Sequence, residues 1–324
     1  MSIRVGVAGY GNIGIGVELA LSQSPDMELK AVFTRRNPGT VGIRTPGVPV
    51  LPMGEAKQYQ KEIDVMILCG GSAKDLPEQG PELAALFNTV DSYDVHAAIP
   101  DYLAAMDKAA TRTAAVISAG WDPGLFSMTR ALTGAVLPGG ADYTFWGRGV
   151  SQGHSAAARR VEGVIDAVQY TIPVESAVTD ARGGSNRSLT ASQRHVRECY
   201  VVPEEGADLA AIERKIKQMP HYFAEYDTKV HFISQEELSA DHAGMPHGGF
   251  VIRTGTTGEY HRHVLEFSLK LGSNPEFTAS VLTAYARAAV RLSEEGRYGA
   301  KTVLDIPLTY LSPKDRATLV KELL

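Results

Sequence analysis

The apolar positions of the chain follow two different rhythms. Between Ile3 and Ser118, short runs of apolar and β-branched residues alternate with stretches in which apolar residues recur every three to four positions. The runs Ile3 to Ala8, Leu29 to Thr34, Val65 to Leu68, Thr89 to Val90 and Ala114 to Ser118 predict strands. Ile13 to Leu21, Pro81 to Phe87 and Tyr102 to Ala110 predict the helices between them. Strand and helix in alternation is the pattern of βαβ units feeding a parallel sheet. After Trp121 the rhythm changes. Asp122-Pro123-Gly124 opens an expected helix to Val136, and strand-like runs then follow at Tyr143 to Trp146, Val168 to Ile172, Glu198 to Val202, Lys229 to Ile233, Phe250 to Arg253 and His263 to Lys270. Consecutive strands of this kind predict a mixed or antiparallel sheet.

Toward the end, Asn274-Pro275-Glu276 reads as a helix start, with Asn as N-cap and Pro in the first turn, and the helix is expected to reach Gly296. Thr302 to Ile306 reads as a strand or extended piece and Lys314 to Leu324 as a closing helix. Asn37 to Gly54, rich in Gly and Pro, reads as a surface connection. The expected fold class is α/β. An N-terminal doubly wound parallel sheet of the Rossmann type occupies residues 1–120, a second α+β domain on a mixed sheet occupies residues 121–298, and segment 299–324 packs back on the first.

A chain of 324 residues is about two domains long. Its formal charge of -5 contains no large block of either sign, which argues against nucleic acid as a partner. The sequence enters its first strand without a basic leader, and no apolar run approaches the length of a membrane span, so a cytoplasmic protein without membrane attachment is expected. Cys69 and Cys199 lack metal-ligand or disulfide spacing, so reduced thiols and no metal are expected.

The first chemical motif is Gly9-Tyr10-Gly11-Asn12-Ile13-Gly14, a GxGxxG that follows a strand and opens a helix. The first glycine permits the turn, the second lets a pyrophosphate approach the backbone, and the third lets helix and strand pack closely. An NAD-selective fold would carry an acidic residue at the end of the second strand, for the ribose 2′-hydroxyl. Here no acid occurs between Glu28 and Glu55, and the strand ends Thr34-Arg35-Arg36, whose guanidinium groups suit a 2′-phosphate and hence NADP. A solvated basic turn is the plainer alternative. Cys69-Gly70-Gly71-Ser72 follows the strand Val65 to Leu68, where small residues would admit a cofactor; Cys69 reads as a packed thiol rather than a nucleophile.

Asp94 and Asp122 lie just past later strand ends and are expected to face one crevice, where they could hold a substrate ammonium or take its proton. Equally, Asp122 could cap a helix, and Asp91 or Asp94 could close a turn.

Over essentially its whole length the sequence resembles the meso-diaminopimelate dehydrogenases. The resemblance is carried by Val7 to Asn12, Phe33 to Arg36, Leu68 to Gln79, Val90 to Asp94, Gly120 to Gly124, Phe145-Trp146-Gly147, Ser151 to Ser155, Gln169-Tyr170-Thr171, Gly244 to Gly249 and Asn274-Pro275. It implies an NADP-dependent oxidation of the D-centre of meso-2,6-diaminopimelate, with Asp94 and Asp122 near the reacting amino group and Trp121 and Trp146 lining the pocket. It further implies that Thr171, Arg197 and His247 bind the distal carboxylate, that Asn274, Gln152 and Gly153 add polar contacts, and that the protein is a homodimer. Aldose or inositol dehydrogenases would be expected to show a Glu-Lys-Pro segment, which is absent, and dihydrodipicolinate reductases a basic cluster to which His261-Arg262-His263 is the nearest string. A non-catalytic NADP-binding regulator is a third reading.

Overall fold

The computed structural model describes residues 2–324. Its strands, numbered along the chain, are β1 Ile3–Ala8, β2 Met27–Thr34, β3 Val50–Pro52, β4 Val65–Leu68, β5 Asn88–Asp91, β6 Ala114–Val116 and β7 Ala141–Trp146. They continue as β8 Gly149–Val150, β9 Val164–Pro173, β10 His195–Pro203, β11 Asp227–Phe232, β12 His247–Thr257, β13 His261–Leu271 and β14 Gly299–Lys301. The chain forms two compact units. One runs to Met128 and resumes at Pro275; the other spans Thr129–Asn274.

The first unit is built on a seven-stranded sheet in the order β14-β6-β5-β4-β1-β2-β3, with every pairing parallel. The order reverses between β1 and β4, as in doubly wound folds that bind dinucleotides at that point. All four residues of β4 are buried, as expected for a parallel strand covered on both faces. One face packs Val5, Val7, Val17 and Leu21 against Ala279, Leu282 and Tyr285, and the other packs Phe33, Met66, Leu68 and Leu83 against Met106.

Here the expected boundaries move. The helix Asn274–Glu294 joins the first unit, so the chain returns at Pro275 rather than at 299. The reason is close packing on the first helix, Asn12–Ser22: a Cβ on Gly16 would sit 2.8 Å from the Ala279 Cβ. An ion pair from Arg287 to Asp26, at 2.6 Å, ties the same helix down. The first boundary likewise moves from 120 to 128, because Phe126 and Met128 pack with the first unit.

Two further differences have local causes. The helix expected from Pro81 spans Leu76–Ala84, opened by Pro77 in its first turn, with Pro81 accommodated inside. The piece expected to be extended at Thr302 to Ile306 is a 3₁₀ turn at Val303–Asp305, because Thr302 and Asp305 form a reciprocal capping box.

The second unit holds the expected mixed sheet and, beside it, an antiparallel one. A mixed four-stranded sheet runs β11-β10-β9-β8, and an antiparallel three-stranded sheet runs β13-β12-β7. The chain leaves one for the other at Gly147, whose φ of +113° favours glycine and where a Cβ would fall 2.1 Å from the Thr171 carbonyl. Short helices absent from the pattern reading, among them Gln152–Arg159 and Glu175–Arg182, cover the sheets.

Candidate active site

The cofactor motif folds as its glycines require. Gly9 has a φ of +97°, and a Cβ on Gly14 would lie 2.4 Å from the Gly9 carbonyl oxygen, so helix and strand meet only because residue 14 is Gly. A Cβ on Gly11 would meet nothing within 4 Å. That position is open where the helix Asn12–Ser22 begins and its first N–H groups lack partners within the helix. The Ile13 side chain turns away into the core, leaving its backbone to the loop.

A cavity of about 410 Å³ is lined by Gly9, Tyr10, Gly11, Thr34, Arg35 and Arg36, together with Cys69 and Gly70. The three sequence segments read as cofactor-binding therefore meet at one place. Thr34 is buried and its Oγ1 accepts from the Arg36 N–H at 3.1 Å, while the Arg36 guanidinium donates to the Tyr10 carbonyl. Arg35 is exposed and paired with Asp75 at 2.8 Å. Asp75 also accepts from the Gly71 N–H at 2.9 Å. Pattern reading missed Asp75, because the nearest acid in space is forty residues from Arg35 in sequence. Burial pushes the Cys69 thiol pKa far up, which agrees with a packed thiol. Ser72 lies outside the cavity lining; its Oγ accepts from the Asp94 N–H at 3.2 Å.

The two loops that carry the candidate aspartates are tied to Asp91. This residue is fully buried, and its Oδ1 accepts from the N–H groups of Tyr93 and Ser118, at 2.9 and 3.1 Å. Its Oδ2 accepts from the Tyr102 hydroxyl at 2.8 Å, and its carbonyl accepts from Ala119. Burial raises the Asp91 pKa to about 6 against the opposing effect of these hydrogen bonds. Asp91 thus closes the turn, while the Asp94 side chain is exposed. The helix after Asp122 begins at Leu125, so Asp122 is not its immediate cap and stands in the tight turn where Gly120 N–H meets the Pro123 carbonyl at 3.0 Å. Trp121 is buried edge-on against Phe126.

In the second unit the remaining candidates converge where its two sheets meet. Arg197 on β10 stands opposite Thr171 on β9 and donates to its hydroxyl. Arg197 is 5% exposed, its guanidinium lies 3.9 Å from the centroid of the Tyr226 ring, and burial lowers its pKa. Among the described residues no carboxylate forms an ion pair with it. His247 opens β12, and its Nδ1 accepts from the Gly248 N–H at 2.8 Å. Burial holds this imidazole below its usual pKa, and the Arg197 charge adds to the effect. Gly149 is required beside it, since a Cβ there would be 2.4 Å from the His247 ring.

Met245 links two more candidates. Its sulfur accepts from Gln152 Nε2 at 3.3 Å and its carbonyl accepts from the Asn274 N–H at 3.0 Å. Gln152 and Gly153 are exposed at the start of a helix whose N-cap, Ser151, accepts from the His154 N–H. Trp146 ends β7 and stacks on His195, a residue that pattern reading passed over.

A family model described as the diaminopimelic acid dehydrogenase C-terminal domain matches residues 120–273. The chain is 61% identical over 324 residues, 99% of each sequence, to the meso-diaminopimelate D-dehydrogenase of Ureibacillus thermosphaericus. Among solved structures it is similar to the Corynebacterium glutamicum DAP dehydrogenase in complex with DAP, with TM-score 0.93 and 44% identity over 100% of this chain and 99% of that one. It is also similar to an engineered D-amino acid dehydrogenase bound to NADP+, with TM-score 0.89 and 43% identity over 100% of both chains.

Proposed function

The chain belongs to the meso-diaminopimelate dehydrogenase family, and from that membership we propose its reaction: reversible NADP-dependent oxidative deamination of the D-centre of meso-2,6-diaminopimelate to L-2-amino-6-oxopimelate and ammonia. NADP+ bound to the chain would supply the hydride acceptor. The loop from Gly9 to Gly14 would hold its pyrophosphate, Thr34, Arg35 and Arg36 would hold the 2′-phosphate, and the small residues from Cys69 to Ser72 would admit it to the backbone.

Hydride leaves the D-carbon only when its nitrogen can donate a lone pair, so the substrate ammonium must first lose a proton. Asp94 and Asp122 hold that nitrogen and accept the proton; water then opens the imine and ammonia departs. Trp121 and Trp146 shield the reacting carbon. Arg197, Thr171 and His247 bind the distal carboxylate, and Gln152, Gly153 and Asn274 contact the polar groups between. With one end anchored, the wrong configuration leaves buried polar groups unpaired, and the stereochemical choice follows.

The observation that carries this reading is Arg197. A buried guanidinium without a carboxylate partner is costly unless an anion comes to it. Replacement Arg197→Met tests it. The expected result is a KM for meso-2,6-diaminopimelate raised about 10- to 100-fold, as for loss of a charge-assisted hydrogen bond. An unchanged KM would remove the assignment.

The protein acts as a cytoplasmic homodimer in this reading, without nucleic-acid or membrane partners. Among the described residues no helix is long and apolar enough to cross a membrane. Edge strand β13 is exposed along most of its length, including Val264 and Leu265, a surface that a second copy would cover. Molar mass in solution decides the dimer.

A further inference from the structure

Two positions before Thr171 on β9 stands a residue the mechanism does not use. Gln169 is 0% exposed, yet neither its Oε1 nor its Nε2 has a hydrogen-bond partner. Leaving both ends of a buried amide unpaired is costly, and native structures do it rarely. The register explains what is nearby. Thr171 stands opposite Arg197 and Gln169 opposite Cys199, so Gln169 and Arg197 are diagonal neighbours on one face of the sheet. Such neighbours are within reach of each other when both side chains are long. Arg197 Nε is itself buried and unpartnered. Three orphaned polar atoms therefore share one layer, two on Gln169 and one on the guanidinium. The surroundings offer no substitute. Cys199 is fully buried, and the Ser155 hydroxyl on the covering helix is engaged, accepting from the Gln169 N–H at 2.9 Å and donating to the Ser151 carbonyl at 2.7 Å.

We propose that Gln169 is a positioning residue for Arg197: its carboxamide oxygen accepts from the Arg197 Nε–H through one buried water, and so turns the terminal nitrogens of the guanidinium toward the substrate carboxylate. A water there has the two or more polar partners that a buried water needs. The residue type also fits. An amide orients the cation without neutralising it, whereas a carboxylate in its place would pair with Arg197 and quench the charge that binds substrate. This role rests on the reading of Arg197 as the distal-carboxylate anchor.

The test compares the full-length variants Gln169→Met, Gln169→Glu and Arg197→Met by steady-state kinetics with meso-2,6-diaminopimelate and NADP+, with thermal melts alongside. Gln169→Met is expected to raise the diaminopimelate KM about 10-fold while kcat and the NADP+ KM stay within about 2-fold, the melts showing that the variant is folded at the assay temperature. Gln169→Glu, close in shape and polar, is expected to raise the diaminopimelate KM further, toward that of Arg197→Met. It keeps the test open if the methionine variant folds poorly. Wild-type KM in the Gln169 variants, beside a raised KM in Arg197→Met, overturns the positioning role and leaves the anchor intact. Wild-type KM in Arg197→Met overturns the anchor, and the positioning role with it.

Discussion

The imidazole of His195 accepts a hydrogen bond from the Trp146 N–H at 2.8 Å, and its ring stacks on the indole with centroids 5.2 Å apart. Backbone and side chain of Trp146 are thus both held by one residue that is 2% exposed. His195→Leu keeps the bulk and removes the acceptor, leaving a partly buried N–H unpaired at a cost of about 1–3 kcal/mol. Chemical denaturation is expected to show that loss of stability. Steady-state kinetics are expected to show a raised KM for diaminopimelate with the NADP KM unchanged, and equal stability of the two proteins would contradict the account.

The same histidine predicts how stability depends on pH. Burial, with the charges of Arg197 and Arg194, lowers its pKa to about 3, and burial lowers that of His154 to about 4. The unfolded chain binds protons at these positions below about pH 6.5 and the folded chain does not, so stability falls as pH drops from 6.5 toward the folded values. For His195 the full effect is about 5 kcal/mol as an upper bound. Asp91, raised to about 6, acts oppositely by about 3 kcal/mol between pH 4 and 6. Melting temperatures from pH 7 to pH 4 are expected to fall, and His195→Leu is expected to flatten the curve. A wild-type Tm independent of pH would contradict both histidine assignments.

Gly11 and Gly14 separate binding from folding. A Cβ at residue 14 collides with the Gly9 carbonyl, whereas at residue 11 it enters open space. Gly14→Ala is therefore expected to lower Tm. Gly11→Ala is expected to leave Tm near wild type while weakening NADP at least about 10-fold, because the methyl would occupy the approach proposed for the pyrophosphate. Calorimetry and cofactor titration read the two effects apart; equal NADP affinity in Gly11→Ala would move the cofactor away from this loop.

Much of this was legible in the chain and some was not, for identifiable reasons. The parallel sheet and its glycine loop are local patterns: apolar runs such as Val65 to Leu68, and spaced glycines whose tasks follow from sterics. The late helix from Asn274 was legible as a helix but not as part of the first unit, since its contact with Gly16 spans most of the chain. Strands β3, β8 and β14 are too short for a periodic signal. Asp91 is a turn residue by sequence, and two of its three donors, Tyr102 and Ser118, lie too far along the chain to leave a local signal; His195 carries no motif because its partner is a backbone N–H forty-nine residues away.

Arg35 and Arg36 do different work at one strand end. Arg36 donates to the Tyr10 carbonyl within the glycine loop, and Arg35 is balanced by Asp75. Arg35→Ala leaves Asp75 unneutralised beside the site proposed for the 2′-phosphate, so it is expected to weaken NADP by about 10- to 100-fold and NAD far less. Arg36→Ala is expected to weaken both cofactors, NADP more, because it also loosens the loop. Titrations with the two cofactors check this, and equal losses of NADP and NAD in Arg35→Ala would count against a 2′-phosphate site.

The central claim is that one end of a meso-configured diacid is anchored while the other is oxidised by NADP. Its most direct test is the initial rate of cofactor reduction with separate meso, LL and DD isomers of 2,6-diaminopimelate, each with NADP+ and with NAD+. The account predicts activity with the meso isomer and NADP+, none with the LL isomer, and at most weak activity with the DD isomer or with NAD+. Comparable rates with all three isomers, or none with any of them, would contradict it.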